Sequence, residues 1–214
     1  MRANAAGGSN KFILVQLPEN INPMLSSTSA NAKRVAENAV AVLDELQYPH
    51  LITELAKERI RRAAKKIRED ARLTLTQDFD GGFRCLRLDS SNMQDVYYTP
   101  DAMQQDLLSF TMDNIKPDRT PEDLLFQVML ELGVLPSSTI AETEIGGKKV
   151  FDVADGFLLA CFDKGVTTET VTAIAKKQPY YAVFRDASMA DDSTATNFDQ
   201  IFETYSPSTV RKVL

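Results

Sequence analysis

Apolar and polar positions along the chain fall into patterns that define most of its elements. Residues 12–17 (Phe12-Ile13-Leu14-Val15-Gln16-Leu17) make a short, nearly continuous apolar run between a Gly7-Gly8-Ser9-Asn10 turn and Pro18. A run of that length, carrying Val, Ile and Phe, predicts a strand buried on both faces, as in a parallel sheet. Residues 20–30 read as a loop. Val35, Ala39, Val42, Leu43 and Leu46 share one face of a helix over 31–47, which Pro49 breaks. From 50 to 70, Ala56, Ile60, Ala63 and Ile67 recur at spacings of four, three and four, one narrow apolar stripe on a second helix. A strand, a long excursion and a helix make a partial crossover unit. Residues 83–88 alternate enough for a half-buried strand after a turn at Asp78, Asp80, Gly81 and Gly82.

The second half reads more sharply. Residues 101–114 predict a helix, ended by Lys116-Pro117-Asp118-Arg119. The next has an N-cap in Thr120, Pro121 in its first turn, and Glu122 and Asp123 at the positive end of its dipole. Leu124, Leu125, Val128 and Leu132 form its buried stripe, and Gly133 ends it. Residues 141–145 and 148–153, joined by Gly146-Gly147, predict a hairpin. The apolar run 157–162 suits a central strand, 168–177 a helix and 180–184 another strand, so a right-handed parallel crossover is expected. Residues 186–197 read as a polar loop and 198–205 as a short last helix.

Composition narrows the class. With 214 residues, 43% apolar and 25% charged, the chain suits one moderate domain or two small ones. We expect a boundary between 72 and 100, giving regions 1–72, 73–99 (a linker or hairpin) and 100–214. No stretch approaches the ~20 apolar residues of a membrane span, and the first eight residues lack a signal-peptide core. Cys85 and Cys161 stand far apart, which excludes a Cys-based zinc site and argues against a disulfide scaffold; the single His50 excludes a His-rich one. A soluble, reducing, cytoplasmic protein without metal is the expectation.

Charge divides the chain. The net charge is −6, but residues 1–72 carry +4 and the remainder −10. The basic excess concentrates in 57–68, where Lys57, Arg59, Arg61, Arg62, Lys65, Lys66 and Arg68 accompany one anion, Glu58. Two readings of that run stand: a solvated helix face, or a surface for nucleic-acid phosphates.

Candidate chemistry is sparse. There is no Gly-x-Ser-x-Gly, no phosphate loop ending in Gly-Lys-Ser/Thr and no full Gly-x-Gly-x-x-Gly. Asp191 and Asp192 are adjacent acids read as solvated, His50 a capping or surface residue, and both cysteines buried, inert thiols. No catalytic residue is legible. Ligands bind beyond the carboxyl ends of parallel strands, so Gln16 or Glu19 is either a hydrogen-bond partner for ribose hydroxyls or an ordinary polar loop residue.

Four segments add a resemblance: Lys11-Phe-Ile-Leu-Val-Gln-Leu-Pro-Glu19, Ala56-Lys-Glu-Arg-Ile-Arg-Arg-Ala-Ala-Lys-Lys-Ile67, Gly82-Phe-Arg-Cys-Leu-Arg-Leu-Asp-Ser-Ser-Asn92 and Asp113-Asn-Ile-Lys-Pro-Asp-Arg-Thr-Pro-Glu-Asp-Leu-Leu125. With Ala154-Asp-Gly-Phe-Leu-Leu159 and Asn197-x-x-Gln-Ile-Phe202, and in this order, the chain from about 1 to 205 resembles the C-terminal part of the modification subunit of type III restriction-modification systems. That family methylates the exocyclic amine of adenine in a short DNA site, using S-adenosylmethionine. The resemblance implies an α/β chain, an incomplete Rossmann-like methyltransferase sheet followed by a small mixed-sheet α/β domain. It makes 11–19 the second strand of that sheet, with Gln16 or Glu19 near the ribose of the cofactor. It makes 50–70 the following helix, and residues 1–8 the end of the helix after the Gly-rich loop.

The departure is large. The chain has neither the family's Asp-Pro-Pro-Tyr-type tetrapeptide nor its Phe-x-Gly-x-Gly-type loop. The tetrapeptide positions the target amine and stacks on a flipped-out base; the glycines admit the cofactor close to the backbone. The resemblance therefore implies a truncated or split methyltransferase, inactive alone. Its implied partners are DNA, the restriction (helicase-nuclease) subunit and a second modification subunit. The alternative is a non-catalytic module, residues 100–214, that docks one of those subunits.

Overall fold

Local capping and apolar spacing set the helices of the first part of the chain. Ser29 accepts the amide of Ala32 at 3.5 Å and opens α2 (Ala30–Glu45), after a short α1 (Arg2–Ala5) and a 3-10 turn (Asn22–Ser26). Gln47 turns the chain in the left-handed region before α3 (Ile52–Asp70). These elements come from a computed structural model that describes residues 1–8, 10–70, 79–94, 114–186, 189–190 and 192–214. The chain divides into two units, Met1–Leu86 and Arg87–Leu214.

The first unit has a small core. Ile21 and the α2 residues Ala36, Ala39 and Leu43 are buried, with Leu25, Val40, Ile52 and Leu55 packed against them. The α2 stripe is rotated from the expected one, so that Ala36 faces inward and Val35 outward. On α3 only Ala64 is fully buried, while Ala56, Ile60 and Ile67 are half-covered and Ala63 is exposed.

The strand expected over 12–17 is not formed. The segment joins no sheet, and Ile13 and Val15 are 90% and 92% exposed. A strand buried on both faces needs backbone partners and apolar layers on each side. The described residues of this unit provide neither; the one backbone pairing nearby is an isolated bridge from Asn20 to Leu51. Residues 83–88 likewise form no strand. The helix expected over 101–114 lies outside the described residues.

The second unit builds a complete layered fold. Thr120 caps α4 (Pro121–Glu131): its hydroxyl accepts the Asp123 amide at 3.3 Å, and the Asp123 carboxylate accepts the Thr120 amide at 2.8 Å. Met129 joins Leu124, Leu125 and Val128 in the buried stripe, and Leu132 is only half-buried. Strands β1 (Ile140–Ile145), β2 (Lys148–Val153), β3 (Leu158–Cys161), β4 (Tyr181–Phe184) and β5 (Val210–Val213) form one mixed sheet in that order. Successive strands from β1 to β3 are antiparallel, whereas β3, β4 and β5 run parallel. The parallel strands are joined by α5 (Thr168–Lys176) and α6 (Asp192–Tyr205).

Alternation along the strands sends side chains to two cores. Phe151, Val153, Leu158, Ala160 and Val183 meet the α4 stripe on one face. Val150, Leu159, Cys161, Ala182 and Phe184 meet Val171 and Ile174 of α5 and Phe198 and Phe202 of α6 on the other. Among the described residues, then, the chain is an α/β protein with six helices and a five-stranded mixed open sheet.

Two features depart from expectation. Helix α6 begins at Asp192, inside the stretch read as a polar loop. Its first turn is anchored by the buried Thr194, whose hydroxyl meets that of Thr168 at 3.1 Å. Strand β5 was not anticipated. It is held by a buried polar knot in which the Thr209 hydroxyl donates to the Pro179 carbonyl at 2.5 Å and pairs with Ser206 at 2.6 Å.

Candidate functional site

The residues singled out for cofactor binding lie past the end of the unpaired segment. Gln16 and Glu19 are both exposed. The Gln16 amide nitrogen donates to the Leu17 carbonyl at 3.2 Å. The Glu19 backbone carbonyl accepts the amide of Ile52 at 3.0 Å, which ties this corner to the first turn of α3. The Glu19 carboxylate makes no hydrogen bond or ion pair with a described residue. No hydrogen bond between the Gln16 and Glu19 side chains joins the two into one site among the described residues. The described surroundings offer nothing shaped for the rest of a nucleoside cofactor.

His50 reinforces the same corner. Its Nδ1 lies 2.7 Å from the Asn22 side-chain oxygen and its Nε2 2.7 Å from Asp44 Oδ1. Both ring nitrogens are thereby engaged with the 3-10 turn and α2, which gives the residue a bracing role.

The seven cations of α3 do not form one surface. At about 100° per residue, positions 57, 61 and 68 fall within about 40° of arc, and 59, 62 and 66 lie on the far side. Several are tied to carboxylates of the same helix: Lys57 to Glu54 at 2.6 Å, Arg62 to Glu58 at 2.7 Å, Arg61 to Glu58 at 3.7 Å and Lys65 to Glu69 at 3.9 Å. The exposed Lys65–Glu69 pair contributes little stability, and all four pairs lower the field the helix presents. The Glu54 hydrogen bond holds the Lys57 ammonium above the ordinary lysine pKa, against partial burial and with help from Cys85. Arg59 and Lys66 are exposed and have no ion pair among the described residues.

The structure gathers one subset of these cations around residues that the sequence pattern does not connect with them. Arg61 and Arg68 line a cleft of about 380 Å³ together with Gly81, Phe83 and Cys85. The Arg61 guanidinium lies 5.7 Å from the Phe83 ring centre and 6.0 Å from that of Tyr48, and Arg68 lies 5.8 Å from that of Phe79. Gly81 makes the approach possible, because a Cβ there would stand 3.0 Å from the Ala64 Cβ and 3.2 Å from Arg68 Nη2. Cys85 is exposed, contrary to the expectation of a buried thiol: with 83–88 unpaired, no sheet covers it. Cys161, by contrast, is buried in β3, and burial pushes its thiol up to about 11. The Gly-Gly pair followed by Cys, just after a basic helix, was the one sequence signal for this cleft.

No group of three His, Cys, Asp or Glu side chains among the described residues is placed to hold a metal ion. Asp191 lies outside those residues. No described helix is long and apolar enough to cross a membrane. In comparisons with known proteins, the chain matches no family model and no curated protein.

Proposed function

We propose that the chain acts in site-specific methylation of adenine N6 in DNA, as the C-terminal part of the modification subunit of a type III restriction-modification system. S-adenosylmethionine supplies the methyl group in that reaction. The observation that supports the reading is apolar surface left uncovered in the first unit. Ile13 and Val15 are about nine-tenths exposed, and the apolar stripe of α3 is only half-covered. Apolar surface of this kind favours burial against a partner. A Rossmann-like sheet completed by residues outside these 214 would cover both.

In this reading Gln16 and Glu19 bind the ribose hydroxyls, and the α3 cations face DNA phosphates. The target amine is held by the Asp-Pro-Pro-Tyr-type tetrapeptide, and the cofactor by the Gly-rich loop. Neither occurs in this sequence, so both come from another polypeptide segment. Without them neither reactant is held in attack geometry.

The test is complementation. The purified chain and a polypeptide bearing both motifs are assayed, apart and mixed, for transfer of labelled methyl from S-adenosylmethionine to DNA. Transfer to adenine N6 is expected only on mixing. Methyl transfer by this chain alone, or no transfer on mixing, would overturn the proposal.

A second reading has its own support. The second unit covers both faces of its sheet with helices and carries the acidic excess of the chain. That suits a non-catalytic module docking the restriction subunit or a second modification subunit. Co-purification with the restriction subunit, with no S-adenosylmethionine binding by calorimetry, would favour it.

A further inference from the structure

The two sides of α3, which together carry seven cations, differ in kind. On the side of residues 79–85, Arg61 and Arg68 converge on one cleft and are braced by Phe83 and Phe79. At 5.7 and 5.8 Å from the ring centres the two guanidiniums lie within cation–π range of Phe83 and Phe79, which favours keeping both side chains at the cleft. The carboxylates nearby already have partners, and one of them, Glu58, is shared with Arg61. Glu58 is held by Arg62 at 2.7 Å and stands 3.7 Å from Arg61, Glu54 is held by Lys57, and Asp80 accepts the Gly82 amide at 2.8 Å. Arg68 has no carboxylate partner among the described residues. Two guanidiniums lining one concavity, with Glu58 shared between Arg61 and Arg62 and no carboxylate on Arg68 among the described residues, match the oxygens of a phosphate group.

We infer that the cleft between α3 and residues 79–85 is a phosphodiester subsite for the DNA backbone, with Arg61 and Arg68 as its donors and Cys85 at its rim. The inference rests on the DNA-methylation reading. In it Arg59, Arg62 and Lys66, on the opposite side of the helix, add only diffuse attraction.

The full chain carries its own reporter, because Cys85 is exposed and Cys161 is buried. Duplex DNA at low salt is added while the alkylation of Cys85 by iodoacetamide is timed, and binding is followed separately by fluorescence anisotropy. DNA is expected to slow alkylation several-fold. Arg61→Gln or Arg68→Gln is expected to weaken binding about 10-fold and remove the protection. Arg68→Lys keeps the charge but loses the fork, and should recover only part. Arg59→Gln and Lys66→Gln should each weaken binding about 2-fold or less and leave protection intact. Circular dichroism and melting temperature verify that each variant folds. Protection by inorganic phosphate as well would assign the effect to the phosphate group itself, as the inference requires. DNA that binds without slowing alkylation would overturn the subsite and leave the DNA-methylation reading standing. Equal losses from both sides of the helix would also overturn it. No binding to DNA at low salt would overturn the subsite, while the DNA-methylation reading is decided separately by the complementation assay.

Discussion

The turn between β1 and β2 offers a sharp test of how the second unit is packed. Gly146 and Gly147 both sit in the left-handed region, at φ +58 and +73. They differ in surroundings. A Cβ on Gly146 would stand 2.6 Å from Thr170 Oγ1 and 3.0 Å from the Thr170 Cα on α5, whereas a Cβ on Gly147 meets nothing within 4 Å. Gly147→Ala therefore carries only the conformational cost of a left-handed L-residue, about 1–2 kcal/mol. Gly146→Ala adds overpacking against a helix backbone that cannot swing away, about 1–3 kcal/mol more. It also strains the 3.3 Å bond from the Thr170 hydroxyl to the Gly146 carbonyl. A difference near 2 kcal/mol between the variants follows. With a urea slope of ~2 kcal/mol/M, that separates their unfolding midpoints by about 1 M. Far-UV circular dichroism and tyrosine fluorescence report it, since the chain has no tryptophan. Adding Thr170→Ala to Gly146→Ala removes the 2.6 Å contact but leaves the Cα, so only part of the loss should return. Equal midpoints for the two glycine variants would show that α5 does not press on this turn.

Other expectations concern capping, thiols and the unpaired segment. Thr120→Ala should cost about 1 kcal/mol by removing the α4 cap. The cap also sets a pH dependence: bonds from the Thr120 amide and hydroxyl hold the Asp123 carboxyl below its ordinary pKa. Its stabilisation is thus present above the unfolded value of about 3.9 and lost as pH falls through the folded one. The melting-temperature gap between wild type and Asp123→Asn should accordingly close between pH 5 and pH 2; a constant gap would refute the assignment. A disulfide-exchange reagent at pH 8 should titrate one thiol in the native chain and two in denaturant, and two rapid native thiols would contradict the burial of Cys161. Val15→Lys should leave stability within about 0.5 kcal/mol, because the side chain is already in water. It should nonetheless abolish assembly with the complementing polypeptide, measured by co-purification; unimpaired assembly would count against that segment as a contact surface.

The elements legible in the sequence were those whose signals are local. Thr120, Pro121 and Asp123 carry the start of α4 in adjacent positions, and the Gly-Gly turn sets the β1–β2 register without help from elsewhere. The β3–α5–β4 crossover was legible for a similar reason, since its two strands are apolar throughout and its helix begins at a Ser/Thr-type cap. The basic character of α3 was equally plain. Which of its cations converge was not, because the cleft depends on residues 79–85 folding back along the helix.

Sequence alone therefore determined the cap and start of α4, the β1–β2 hairpin, the β3–α5–β4 unit and the charge division of the chain. Tertiary structure decided three things that no local pattern carries. Segment 12–17 has the composition of a central strand, but strandedness belongs to a pair of segments, and the described first unit offers no partner. Strand β5 has only four residues, two of them cationic, and exists because Thr209 and Ser206 lock it beside β4. Cys85 and Cys161 both lie in segments that read as strands, one alternating with arginines and one apolar throughout, yet Cys85 is exposed and Cys161 buried. Burial is a property of what packs from outside the segment, so a strand-like pattern does not by itself make a thiol inert.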